Sequence, residues 1–181
     1  MTALIVIIVL LVVFALFAIS VQRNLVHADE LCGNALSQIG VQQTSRWDAL
    51  TVLAKMTKDY SAHEYDTLMA VIEKRKGIRP DSSPAEVAAQ EGFMAQVAGK
   101  LVALAEAYPD LKANTVYIST MNSVNDYENK VRISRMSYND TVTKYNRLVR
   151  QFPSSIFAGL FGFRRRDYIE SDSGKSDMPA M

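Results

Sequence analysis

The feature that most constrains this chain is an uncharged apolar run near its start, ALIVIIVLLVVFALFAI at residues 3–19. With its neighbours the run reaches about 20 residues, the length at which a helix crosses a hydrocarbon core of about 30 Å. A cleaved signal peptide is the alternative, because Ala18-Ile19-Ser20 fits a cleavage site, but Met1-Thr2 supplies no basic n-region. We therefore predict an uncleaved transmembrane anchor over residues 1–21.

Basic residues close to a span indicate its orientation, since Lys and Arg collect on the cytoplasmic side. No Lys or Arg precedes the apolar run, and Arg23 follows it closely. This asymmetry favours a single-pass protein with its N-terminus outside and the remainder of the chain in the cytoplasm.

Composition excludes several function classes for the part that follows the anchor. A net charge of +1 offers no basic stripe, so we expect no nucleic-acid partner. The single Cys32 cannot form an intramolecular disulfide, and His27 and His63 do not lie in the paired Glu-x-x-His motifs of di-iron bundles. We expect no metal site, no cofactor and no catalytic residue.

Apolar residues in the remaining chain recur at steps of three and four, which predicts helices. The first helix continues from the anchor to about residue 60, although Gly33 and Gly40 each weaken it by about 1 kcal/mol relative to Ala. The second helix is predicted over residues 62–77. Residues 79–84, RPDSSP, form a loop.

The third helix begins at Pro84, because Ser83 can cap it and Glu86 can complete a capping box. It ends near Ala107, before Pro109. The fourth helix runs from Asn114 or Thr115 to the residue before Pro153, where proline interrupts it. The predicted fold is all-α: a transmembrane helix that continues into an up-and-down antiparallel four-helix bundle over residues 22–153.

A doubled Tyr-Asn pair marks the fourth helix, since Tyr138-Asn139 returns seven residues later as Tyr145-Asn146. Side chains seven apart share one helix face, so both tyrosines are expected to line a buried seam of the coiled-coil type. The two asparagines lie one position further round and flank the seam. A ligand pocket near the tyrosines is the functional alternative to packing.

Several motifs together resemble the LemA family, and they are AYPDLKAN (107–114), YNDTVTKYN (138–146) and FPSSIFAGLFGF (152–163), with Glu128 and Arg135 on the same helix. The resemblance extends from the anchor to Phe163. It implies a bacterial membrane protein with one N-terminal transmembrane helix and a helical bundle, and it assigns no activity. At residues 45–53, SRWDALTVL, the chain lacks the second basic residue and the proline that the family usually has.

Polar residues also fall on the apolar stripes of the first and fourth helices. A buried charge must be paired to be tolerated, so we expect Arg46 to reach Glu128 across these helices, with Gln42 and Arg135 nearby. Such a network would set helix register. The alternative is that all four residues stay at the wet edge of the seam.

The segment after the fourth helix, residues 154–168, is apolar and then basic. In an up-and-down bundle it returns to the bilayer, so we predict a membrane-interface segment. The residues expected to contact lipid are Phe157, Phe161, Phe163, Arg164, Arg165 and Arg166. The alternative is that the phenylalanines close the end of the bundle and the arginines are solvated. Residues 169–181 are predicted to be a disordered tail.

Three functions remain compatible with these features. The first is a membrane-anchored scaffold or interaction protein, whose partners are the lipid bilayer and another membrane or membrane-associated protein. The second is an accessory subunit of a membrane protease or envelope-stress system. The third is a sensor that binds a small ligand between its helices.

Overall fold

The structure, a computed structural model, describes residues 1–170. These residues form six α-helices and no strand, which confirms the all-α prediction. The helices are α1 (Thr2–Met56), α2 (Ala62–Ile72), α3 (Pro84–Ala107), α4 (Pro109–Ala113), α5 (Thr115–Arg150) and α6 (Ser154–Leu160).

Helix α1 is continuous over 55 residues and carries two different surfaces. Its first part, from Leu4 to Ile19, is apolar with exposed large side chains, and it has the length and composition to cross a membrane. From Leu25 onward the helix buries one stripe against the bundle. The apolar part of α1 therefore continues into the bundle without a break.

Helices α1 and α5 form the long antiparallel pair on which the bundle is built. Two adjoining clusters of buried apolar residues fill the bundle. The distal cluster, far from the apolar part of α1, includes Trp47, Leu53, Met94, Leu101 and Val124. The proximal cluster includes Cys32, Leu36, Val131, Tyr138 and Tyr145.

The second helix is shorter than predicted, because α2 ends at Ile72 and not at residue 77. Residues 73–83, the connecting segment, continue without helix towards the start of α3. The main-chain oxygen of Ile78 lies so close to α1 that a Cβ added to Gly40 would be 2.6 Å from it. Gly40 thus accepts this segment where a Cβ would clash with its main chain, and a Cβ added to Gly33 would be 3.3 Å from the Cβ of Pro80.

The boundaries of the later helices follow their capping chemistry. Ser83 and Glu86 form the predicted capping box at α3, and the Asn114 side chain accepts hydrogen bonds from the first amides of α5. Two short helices were not predicted, α4, which begins at Pro109, and α6, which begins directly after Pro153. In each case the proline stands at or beside the new helix start, where its missing N–H costs nothing.

Helix α6 packs on the apolar part of α1. The ring of Phe157 lies 5.9 Å from that of Phe14 and 5.8 Å from that of Phe17, measured between centroids. Phe157 is buried by these contacts. The end of α5 and the whole of α6 are thereby placed beside the predicted span.

Candidate functional site

The two Tyr-Asn pairs of α5 bind a segment of the same chain. Residues 163–170, the C-terminal segment, lie along α5 and run antiparallel to it. Tyr145 donates a hydrogen bond of 2.8 Å to the carbonyl of Arg164, and Tyr138 donates one of 3.1 Å to the carbonyl of Asp167. The tyrosines that were expected to line a seam therefore also hold the main chain that covers it.

Each asparagine holds one residue of the C-terminal segment by both of its main-chain groups. Asn146 donates to the carbonyl of Arg166 and accepts from its amide, both at 2.9 Å. Asn139 does the same with Ile169, at 2.8 Å and 3.0 Å. A primary amide carries one acceptor and two donors, so it can replace the main-chain partner that a neighbouring strand would supply.

The spacing of the asparagines along α5 matches the spacing of the residues that they hold on the C-terminal segment. Seven residues of α-helix advance about 10.5 Å, and three residues of extended chain advance about 9–10 Å. The asparagines are seven residues apart, and the residues that they hold are three apart. We call this repeated arrangement of Tyr138, Asn139, Tyr145 and Asn146 the Tyr-Asn ladder.

Every third residue of the C-terminal segment faces the bundle. Phe163 packs on the proximal cluster, Ile169 is 2% exposed, and Arg166 lies between them. Arg166 donates from its Nε to the Oδ1 of Asp29 on α1 at 2.8 Å. This hydrogen bond to Asp29 is the main reason why the pKa of Arg166 is raised.

Burial changes the titration of the ladder tyrosines. Desolvation raises the pKa of Tyr145 to about 12, and the nearby charge of Asp29 acts in the same direction. Burial likewise raises the pKa of Tyr138. The tyrosine hydroxyls, beside which the sequence suggested a ligand pocket, bond to the chain's own C-terminal segment.

A second polar cluster lies further from the apolar part of α1. Arg46, only 5% exposed, contacts the carboxylate of Glu128 at 2.7 Å, so the structure brings together the two residues expected to pair across α1 and α5. Burial lowers the pKa of Arg46, and the charge of Glu128 opposes that shift. Gln42 is only half-buried, and it is Gln43 that is buried and bonds to α3.

Arg135 connects this cluster to the ladder. Its guanidinium contacts the carboxylate of Glu91 on α3 at 2.5 Å and also donates to the carbonyl of Glu170. Since Gln43 contacts Glu91 as well, α1, α3 and α5 meet at one polar layer. The end of the C-terminal segment is attached to that layer.

The six residues predicted to contact the membrane fall into two groups. Phe161, Arg164 and Arg165 are exposed. The other three contact the protein: Phe157 packs on α1, and Phe163 packs on the proximal cluster. Arg166 forms an ion pair with Asp29. The chain after α6 turns away from the predicted span, because the ladder directs it back along α5.

Two participants were missed by the sequence analysis. Asp29 is the partner of Arg166, and Ile169, which the sequence places in a disordered tail, is buried. Phe163, Arg166 and Ile169 repeat at an interval of three, a period that neither an α-helix nor a β-strand produces. The remainder of the predicted tail, residues 171–181, lies outside the described residues.

The site has the chemistry of main-chain binding. Its groups are amides, phenolic hydroxyls and one ion pair, all engaged with the C-terminal segment. Within residues 1–170, no group of three or more His, Cys, Asp or Glu side chains could hold a metal ion.

The chain is similar in sequence to known proteins. The LemA family profile matches residues 35–181. Magnetosome proteins MamQ 1 and MamQ 2 of Paramagnetospirillum magneticum (strain AMB-1) are each 28% identical over 80 residues, which is 44% of this chain and 29% of theirs. MamQ of Magnetospirillum gryphiswaldense is 28% identical over 79 residues, with the same two shares. The match thus spans less than a third of the relatives' length.

Proposed function

Because the chain belongs to the LemA family, we propose that it is a membrane-anchored interaction protein whose bundle is held at the bilayer in two places. The first is the apolar part of α1, and the second is α6. The bundle serves as a scaffold that presents its helix faces to other membrane or membrane-associated proteins, and it has no catalytic role.

The observation that carries this proposal is the packing of Phe157 on Phe14 and Phe17. Those two rings belong to the stretch of α1 that would cross the bilayer, so α6 lies at the depth of lipid. Its outward residues fit that depth, since Ile156 is 61% exposed and Leu160 is 76% exposed. Exposed apolar groups of this size gain free energy only when something apolar covers them.

Two attachments would fix how the bundle is oriented. A single helix leaving the membrane can tilt and rotate, whereas contact at α6 restricts both motions. A scaffold benefits from that restriction, because a partner in the same membrane then always meets the same helix face. The exposed Arg164 and Arg165, which follow α6, would lie near lipid head groups on the cytoplasmic side.

Quenching by brominated lipid tests the contact at α6. In the full chain with Trp47→Phe, a tryptophan is introduced by Leu160→Trp, and the protein is reconstituted in vesicles that contain brominated acyl chains. The matched control is Val102→Trp, since Val102 is also exposed but lies on α3 beside the distal cluster. We expect strong quenching at position 160 and little at position 102; equal weak quenching at both would refute the second attachment.

Thiol labelling tests the side of the membrane. In a Cys32→Ser background, Ser176→Cys is exposed to a membrane-impermeant maleimide in intact cells. Labelling only after permeabilisation is expected for a cytoplasmic bundle, and labelling of intact cells would place the bundle outside.

A further inference from the structure

The C-terminal segment is attached to the bundle as a bound peptide would be. It makes no helix of its own, and its main-chain groups bond to side chains of α5. It is joined to α6 through Gly162, whose φ of +79° lies in the region that favours glycine. A receptor surface and a ligand segment therefore lie on one chain, with a glycine between the segment and the helix that precedes it.

We propose that the Tyr-Asn ladder is a binding site for an extended peptide with the pattern apolar-x-x-Arg-x-x-apolar, and that residues 163–170 of a second copy of this chain occupy it by exchange. The inference deepens the proposed interaction role and rests on it. It does not depend on the contact of α6 with lipid.

The ladder itself recognises features that every extended peptide has. The side chains of Asn139 and Asn146 bond to main-chain N–H and C=O groups of the segment, and the hydroxyls of Tyr138 and Tyr145 donate to its carbonyls. Such bonds supply affinity without selecting a sequence, as in peptides that add to the edge of a sheet.

Selection comes from the positions between these bonds. Asp29 lies where the arginine of the peptide must be, and the proximal cluster accepts an apolar side chain three residues before it and another three residues after it. The chain's own Phe163, Arg166 and Ile169 meet all three requirements. A second copy supplies the same three residues.

Exchange between copies replaces each contact with an identical one, so that the two arrangements differ mainly at the connection. The short connection through Gly162 gives the intramolecular arrangement a high effective concentration. Confinement to a membrane raises the concentration of other copies and favours the exchanged form. The extent of exchange should therefore increase with the density of the protein in the bilayer.

Reversing the charges of one pair tests the exchange with full-length chains in vesicles. All proteins carry Cys32→Ser. The receptor chain carries Asp29→Arg with Thr143→Cys, and the donor chain carries Arg166→Asp with Tyr168→Cys. The two cysteine positions are suitable because Thr143 and Tyr168 are exposed and their hydroxyl oxygens are 3.3 Å apart.

In this mixture each chain repels its own segment, and only the donor's segment on the receptor's ladder restores an opposite-charge pair. A short bismaleimide should therefore join receptor and donor several-fold more than it joins a matched pair that keeps the native Asp29 and Arg166. A yield no higher than that of the native pair would overturn the proposal and make the segment a fixed part of one chain.

A single chain that carries both reversed charges and both cysteines is the second control. It should crosslink within itself as well as a chain with native charges does. If it does not, Asp29 does not select the segment, and the proposal fails for that reason. Quenching at Leu160→Trp is read separately, so failure of the exchange is distinguishable from failure of the membrane contact.

Discussion

Two segments without helix lie along long helices of this bundle, and they are held in opposite ways. The connecting segment, residues 73–83, approaches α1 where Gly33 and Gly40 have no side chain. The C-terminal segment, residues 163–170, is held on α5 by the Tyr-Asn ladder. Helix α1 contacts the main chain of the connecting segment through glycines, which have no side chain. Helix α5 contacts the main chain of the C-terminal segment through polar side chains.

The comparison shows what a seven-residue repeat can do besides packing two helices. Residues seven apart lie close to one face, so a helix can present the same group twice to a segment that runs along it. Glycine allows close contact between the helix and the main chain of the segment, and this contact leaves no room for a side chain on the helix. Tyrosine and asparagine give directed hydrogen bonds, and these can be made and broken without rearranging the helix.

The largest effect should follow from loss of both ladder asparagines. Asn139→Ala with Asn146→Ala removes two main-chain hydrogen bonds at each position, and at about 1 kcal/mol per bond the loss is about 2–4 kcal/mol. We expect the C-terminal segment to detach, measured as lost protection in hydrogen exchange and as a lower thermal stability in detergent. Asn125→Ala, at an exposed position of α5, is the control and should have almost no effect.

A smaller loss is expected on α1. Gly40→Ala should lower the free energy of unfolding by about 1–3 kcal/mol, because the new Cβ would be 2.6 Å from the main-chain oxygen of Ile78. Gly99→Ala on α3 is the matched control, since nothing lies within 4 Å of its added Cβ, and it should gain about 0.5–1 kcal/mol. A gain at both positions would show that the close approach is not required.

The ion pair between Asp29 and Arg166 should contribute less than either feature. Both side chains are partly exposed, so Asp29→Asn is expected to cost about 0.5–1 kcal/mol, and the cost should shrink as salt is added. Asp48→Asn removes the more exposed contact with Arg75, at 3.4 Å, and is expected to cost almost nothing. Denaturant titrations of both variants at low and high salt provide the comparison.

The last effect is absent at neutral pH, because it is confined to alkaline pH. The raised pKa of Tyr145 means that its neutral form favours the folded state fully below pH about 10, and that this contribution is lost as the pH rises through about 12. Ultraviolet difference titration of the protein against Tyr145→Phe should show one tyrosine with a midpoint near 12. A midpoint near 10 would mean that the C-terminal segment does not cover the hydroxyl.

The elements that sequence reasoning predicts well are those determined by local chemistry. The apolar run, the capping box at Ser83 and the steps of three and four each depend on residues close together in the chain. The contact of Arg46 with Glu128 was also foreseeable, because both charges fall on apolar stripes. The sequence analysis named Gln42, whereas the structure buries Gln43, because steps of three and four leave the register uncertain by one residue.

What could not be predicted is which segments pair. From the sequence, Gly33 and Gly40 only lower the predicted stability of the first helix, since nothing near them in sequence indicates the segment that they contact. The Tyr-Asn repeat marked a helix face but not its occupant. Phe163, Arg166 and Ile169 follow a period of three, the repeat of an extended chain held from one side, and that pattern gains meaning only beside the ladder.

The most direct test is the exchange of single amide hydrogens along the C-terminal segment of the full chain, measured by nuclear magnetic resonance in lipid nanodiscs. The amides of Arg166 and Ile169 donate to Asn146 and Asn139, whereas those of Arg165 and Tyr168 have no such partner among residues 1–170. We predict slow exchange at Arg166 and Ile169 and fast exchange at Arg165 and Tyr168. Equally fast exchange at all four would contradict the ladder.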